Sequence, residues 1–477
     1  MLHGTQYIHI FSARSDTMQK IDLMVRSAKI LEPGHSDLPE RSKGIAIDRG
    51  VILAVGEEQD LLAQYDPARI LDASGMYVCP GFVNTHDHLF QVLTKGLGKE
   101  RLLWDWLENT IRQMTPYIDE EAIYYAALAG CMESIHSGIT TTLDFQYCHS
   151  HIGQFDAVCQ AFRDCGIRGY VGRIQYKGDY LGLSKVPPET PKEYFRNVSN
   201  IHSQMEDPAR LDVALIAPGI PGILDEPDYQ NGYLREIREC AETLNVPYTQ
   251  HLVETVDDDE YLVAKCGERS VPYLEKQSFF GPRCVLAHCV KMHPEDFAIF
   301  QRYDVKVSHN PVSNMILASG ISPVRTFLDH GICVSLGVDG AGSNDSQDML
   351  ETIKIANLLQ KVNALDARVL TASETLEIAC KGGARALCRD DIGELVPGKR
   401  ADFFFYNPRT LKSAPVADPI SSLVYASGEE NIHTVVINGK IVLENGRFTT
   451  ANEGHVIEML ERCAYHIRKC SNLPDRV

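Results

Sequence analysis

Short apolar runs and longer stretches of mixed polarity alternate along residues 79–339. The runs fall at 79–86, 139–144, 168–174, 212–217, 246–251, 283–288, 305–309 and 332–339, and each reads as a buried strand. Stretches with helical spacing separate them, such as 121–136 and 294–302, and another, 348–362, follows the last run. Eight such units predict an α/β fold: a closed (β/α)8 TIM-like barrel with its site at the C-terminal strand ends. An open doubly wound sheet is the alternative. Its nucleotide-binding form loses support, because no glycine-rich phosphate turn follows the first strand.

The flanks have a different pattern. Residues 22–78 hold short strands and turns, and Asp48-Arg49-Gly50 between two apolar runs signals a hairpin. The same style returns after residue 391, with a strand over 401–406 and a hairpin around Asn438-Gly439. Neither end has enough strands for a stable sheet, so the two are expected to pair into one small β-sandwich. The expected organisation is a composite β-sandwich from 1–78 and 391–452, a metal-binding catalytic barrel over 79–390, and a C-terminal helix within 453–477. In that helix Ile457, Leu460 and Ala464 share one face.

Composition removes several classes of function. The 477 residues are 44% hydrophobic, enough for a large core. A formal net charge of −18 argues against nucleic acid or an anionic membrane as partner. No apolar run approaches a membrane span, and Met1-Leu2-His3-Gly4-Thr5-Gln6 lacks the basic and apolar blocks of a secretion signal. The 14 cysteines lack paired spacing, which suits reduced thiols in a cytoplasmic protein, each a small buried hydrophobe.

Candidate chemistry collects at the ends of the runs. His86-Asp87-His88 closes the first, and alternate residues on a strand point the same way, so both imidazoles can enter one site. The fifth run ends on His251, the sixth on His288 and the eighth on Asp339. Singly, each histidine reads as a hydrogen-bonded core residue, and Asp339 before Gly340 as a turn or cap residue. Jointly, five ionisable residues at four strand ends are hard to explain as packing. Neutral imidazoles with a carboxylate suit a first-row metal.

Taken together, residues 80–88, His251-Leu252-Val253-Glu254, Ala287-His288, Gly337-Val338-Asp339 and 393–402 resemble the amidohydrolase superfamily over nearly the whole chain. Ser308-His309-Asn310-Pro311 and residues 339–346 resemble its branch of aminohydrolases and triazine hydrolases. That branch includes cytosine, guanine, 8-oxoguanine, pterin and S-adenosylhomocysteine deaminases. Binuclear members carry a carboxylated lysine at the end of strand four, where residues 213–219 hold none. The resemblance therefore implies one divalent metal on His86, His88, His251 and Asp339, zinc first and ferrous iron second.

It further implies that Asp339 takes a proton from the attacking water, His288 holds the hydroxide or developing oxyanion, and Glu254 protonates the ring and leaving amine. The other reading of Glu254 is an exposed acid heading Asp257-Asp258-Asp259-Glu260. The function implied is a metal-dependent hydrolytic deaminase of an amino-substituted purine, pterin or triazine, releasing ammonia. A chlorohydrolase or alkylaminohydrolase of triazine-like rings is the alternative, and a catalytically dead scaffold a further one. Gln91, Arg173, Trp104 and His309 are candidate substrate contacts, although a helix start, a salt bridge, core packing and a satisfied imidazole account for them as well. Arg173 with Gln91 would read an oxo-purine or pterin edge in preference to adenosine. The resemblance also implies a homodimer or higher homo-oligomer.

Overall fold

Eight parallel strands close into a barrel in the computed structural model, which describes residues 18–35, 41–178, 181–230, 232–471 and 473. In chain order they are Phe82–Asp87, Ile139–Asp144, Arg168–Ile174, Leu211–Ile216, Tyr248–Leu252, Cys284–His288, Lys306–His309 and Val334–Leu336. The eighth returns to the first, with Leu336 opposite Asn84. Helices wrap the outside and side chains fill the inside, so these strands are buried on both faces. That double burial explains why they read as nearly continuous apolar runs. Within the barrel Thr85 Oγ1 meets Ser308 Oγ at 2.7 Å and Ser335 Oγ at 2.8 Å, a polar layer whose hydroxyls satisfy one another.

Three of the barrel helices, Glu120–His136, Asp296–Tyr303 and Met349–Ala364, lie close to their expected spans. Asp119 and Asp348 cap the first and last of these by accepting backbone N–H groups of the opening turn. The C-terminal helix Glu453–Cys470 packs on Glu120–His136. Its buried face is Val456, Met459, Cys463, Ala464 and Ile467, while Ile457 is half exposed. The expected face was thus rotated by about one residue, because packing against a neighbour selects between adjacent apolar stripes.

Strands from both chain ends make one nine-stranded mixed sheet beside the barrel. Tyr77–Pro80 pairs antiparallel with Phe403–Tyr406 at the seam between the ends. The two expected hairpins form, Lys43–Asp48 with Val51–Gly56 and Ile432–Ile437 with Lys440–Glu444. In the second, Asn438 and Gly439 have φ of 51° and 73°, the pair of positive values that a two-residue hairpin turn demands. All 14 cysteines are free thiols, most of them buried. Among the described residues no helix is long and apolar enough to cross a membrane. Met1–Gln6, read above for a secretion signal, lie outside the described residues.

Candidate active site

His86 and His88 leave the first barrel strand on the same side and meet His251 from the fifth, directly across the barrel. The His88 and His251 Nε2 atoms lie 3.1 Å apart, and the His86 and His251 rings are 4.7 Å between centroids. Asp339 arrives from beyond the eighth strand, its Oδ1 at 3.4 Å from His86 Nε2 and 3.3 Å from His88 Nε2. His86, His88 and His251 form one group of potential ligand atoms within 4.8 Å, and His86, His288 and Asp339 another. Four strand ends have thereby gathered the five ionisable residues read jointly from the sequence.

Protonation within this cluster suits a cation. Burial holds His86, His88 and His251 as neutral bases, with His88 pushed down to about 3. Burial opposes the charge on Asp339, but the close approach of His86 and the other surrounding imidazoles hold its carboxyl well below the usual range. His88 Nδ1 faces the Phe145 carbonyl at 2.8 Å, which places its proton there and frees the Nε2 lone pair. Both ring nitrogens of His86 are buried without a hydrogen-bond partner. Orphaned imidazole nitrogens beside an ionised carboxylate are costly unless a cation completes them, so the donor set fits a divalent metal.

Two further ionisable side chains stand beside the cluster. His288 donates from Nδ1 to Asn314 Oδ1 at 2.9 Å and turns Nε2 toward Glu254 Oε2 at 3.6 Å and Asp339 Oδ2 at 3.8 Å. Burial disfavours the His288 cation, yet Glu254 and Asp339 together raise its proton affinity. Glu254 is only 5% exposed and accepts from Ser319 Oγ at 3.0 Å, so it is not part of an exposed acidic loop. Burial, followed by the Asp339 charge, raises its carboxyl above the usual range. Val253, His288 and Asp339 have φ of 43°, 72° and 62°, unusual for residues other than glycine. Such backbone persists where surrounding contacts over-determine it, and here it redirects the chain at three points beside the cavity.

A cavity of about 390 Å³ opens above these groups. Beyond the ionisable centre its walls are largely apolar, with Leu103, Trp104, Trp106, Ile111, Ile220 and Leu317 prominent. Trp104 and Gln91 line it. Arg173 does not. Ile174 faces the cavity from the third strand, so its neighbour Arg173 takes the other side and pairs with Glu189 at 2.7 Å. His309 is also absent from the wall; it is fully buried and held neutral at about 3, by burial first and then by His288. Tyr147, Asp258 and Ser319 were missed. Asp258 lies in the acidic run that masked it, Tyr147 in an irregular segment after the second strand, and Ser319 far from Glu254 in sequence.

A metal-fitting cluster at the C-terminal mouth of an eight-stranded barrel, flanked by a buried carboxyl and imidazole, defines a hydrolase of the amidohydrolase class. Residues 77–442 match the amidohydrolase family, and the chain belongs to it. It is a hydrolase acting on C–N bonds, in the part of the family that deaminates heterocycles. It is 34% identical to a 5'-deoxyadenosine deaminase of Methanothermobacter thermautotrophicus, over 89% of this chain and 96% of that one. A 5-methylthioadenosine/S-adenosylhomocysteine deaminase of Syntrophobacter fumaroxidans is also 34% identical, over 89% and 92%. Among solved structures, a zinc-bound adenosine deaminase of Xanthomonas campestris superposes with a TM-score of 0.85 at 25% identity, covering 95% of this chain and all of that one. Zinc-bound atrazine chlorohydrolase of Arthrobacter aurescens shares the fold at a TM-score of 0.82 and 24% identity, over 93% of this chain and 100% of that one.

Proposed function

We propose that the chain hydrolyses the exocyclic amine of an adenine-type purine bearing an uncharged substituent, with one zinc ion on His86, His88, His251 and Asp339. The buried Glu254 carboxyl, in the same cavity as the histidine cluster and beside His288, carries this reading. The names of the relatives reported above support the substrate class, and the largely apolar cavity walls suit a substituent without charge. Pairing of Arg173 with Glu189 removes the group expected to read a ring carbonyl, so the reason for preferring an oxo-purine or pterin falls away. The zinc reported in the adenosine deaminase neighbour and the absence of lysine in residues 213–219 support one zinc per chain.

When bound, the divalent cation supplies Lewis acidity and brings water toward deprotonation near neutral pH. Asp339 accepts the proton of the attacking water, and His288 donates from Nε2 to the oxygen that adds to the amine-bearing carbon. Glu254, whose carboxyl burial raises above the usual carboxylate range, gives a proton to the ring nitrogen beside that carbon. The proton held by Asp339 passes to the amine, the C–N bond breaks as the added hydroxyl gives its remaining proton back to Glu254, and ammonia leaves the oxo-purine. Water is the only co-reactant.

The test is ammonia release by the zinc-loaded protein from 5'-deoxyadenosine, methylthioadenosine, adenosine, guanine, a pterin and a chlorotriazine. Release from the adenine nucleosides is expected. Chloride release from the triazine, with no ammonia from any purine, would replace this reading by that of a triazine hydrolase.

A further inference from the structure

Gln91 and Tyr147 meet on the cavity wall formed from the first and second barrel strands, across the barrel from Glu254. Gln91 Nε2 donates to Tyr147 Oη at 2.9 Å. The amide is buried, and its other edge rests against the turn after the eighth strand, where a Cβ at Gly340 would lie 2.1 Å from Gln91 Oε1. It has no room to turn away. The Tyr147 ring is set by edge-on contacts with His88 at 5.1 Å and Phe90 at 4.8 Å. A phenol keeps its proton at neutral pH, and an oxygen that already accepts from Gln91 must direct that proton elsewhere. Among the cavity-lining residues, Tyr147 is then a pre-set neutral donor on the side facing away from Glu254.

We propose that the Tyr147 hydroxyl, oriented by Gln91, donates a hydrogen bond to the acceptor on the heterocycle edge facing away from Glu254, which in an adenine ring is N7. The inference rests on the deaminase reading above and adds a specificity-determining residue to it. With the amine-bearing carbon over the histidine cluster and N1 turned to Glu254 on the fifth strand, the opposite flank of that carbon faces the first two strands. In adenine that flank carries N7. A ring with carbon there leaves the Tyr147 O–H buried and unpaired, which selects against it. The Gln91 amide is a positioning residue in this arrangement rather than the direct reader of the ring.

The experiment compares the zinc-loaded parent, Tyr147→Phe and Gln91→Leu on methylthioadenosine and its 7-deaza analogue. Steady-state kinetics and calorimetric binding are measured for both ligands. The parent should show a KM and a Kd about tenfold higher for the 7-deaza ring. Tyr147→Phe should raise both constants for the N7 ring by about tenfold, leave kcat within a few-fold, and shrink the selectivity to about twofold or less. Gln91→Leu should lose part of the same selectivity. Unchanged KM and Kd in Tyr147→Phe, or selectivity as large as the parent's, would overturn the inference. A parent that binds both purines but releases no ammonia fails the deaminase reading instead, and the calorimetric selectivity then still decides the Tyr147 contact. Equal binding of the two rings by the parent rejects it.

Discussion

The two ends of the barrel bury charge in opposite ways. At the N-terminal end Arg168, fully buried, opens the third strand and pairs with Asp402 through two contacts of 2.6 and 3.1 Å. Asn438 Oδ1 and the Ala209 carbonyl accept from its two terminal nitrogens, and Asp402 also accepts from the Asn438 backbone N–H at 2.6 Å. This network ties the barrel to the sheet built from the chain ends, with its polar atoms supplied with partners. At the C-terminal end the charges are as deeply buried, yet both His86 nitrogens and Gln91 Oε1 have no partner. A complete buried network is architecture. An incomplete one, held in place by its surroundings, is where a ligand or reaction supplies the missing partners.

Breaking the incomplete end should abolish function without unfolding the chain. His251→Ala is expected to lose the metal and bring ammonia release below detection, with elemental analysis of the parent giving about one zinc per chain. Two tightly held metals in the parent, or full activity after complete chelation, would contradict the single-ion site. Glu254→Gln should keep metal and thermal stability while losing on the order of 10²–10⁴ in turnover, the range for a positioned general acid/base. A loss of only a few-fold would return Glu254 to a structural part.

Breaking the complete end should do the reverse. Arg168→Met leaves the Asp402 carboxylate buried without its ion partner and is expected to cost about 3–5 kcal/mol of stability. Urea unfolding measures the cost, and activity per folded molecule should stay near the parent value. Replacing Asp402 by leucine in the same chain should recover part of the loss, because the uncompensated charge is gone. If Arg168→Met instead impaired kcat at full stability, the contrast between the two ends would fail.

The smallest effect concerns pH at the same end. Burial works against ionisation of Asp391, but hydrogen bonds and charge from Arg389, with Arg168 and Arg400, hold its carboxyl at about 2. A carboxyl depressed in the folded state contributes stability that is present above its ordinary value near 3.8 and is lost as pH falls from about 4 toward 2. Asp391→Asn should flatten that part of the stability curve and leave the midpoint at pH 7 less altered than Arg168→Met does. An acid limb of the same steepness in the variant would reject the role.

Much of this protein follows from neighbours in sequence. Apolar runs at 79–86 through 332–339 set eight strands, because burial on both faces is written into consecutive residues. His86 and His88 share a side because strands have a period of two, and strand-end positions bring His251, His288 and Asp339 to the same mouth. Partner choice was decided elsewhere. Arg173 found Glu189, Glu254 found Ser319, and Gln91 found Tyr147, in each case through loops whose paths no local period describes. Val456 rather than Ile457 faces the core for the same reason: two apolar stripes were available, and only contact with Glu120–His136 chose between them. Periodicity is a property of adjacent residues and survives in the sequence, whereas the second partner of a hydrogen bond or packing contact exists only once the barrel has closed.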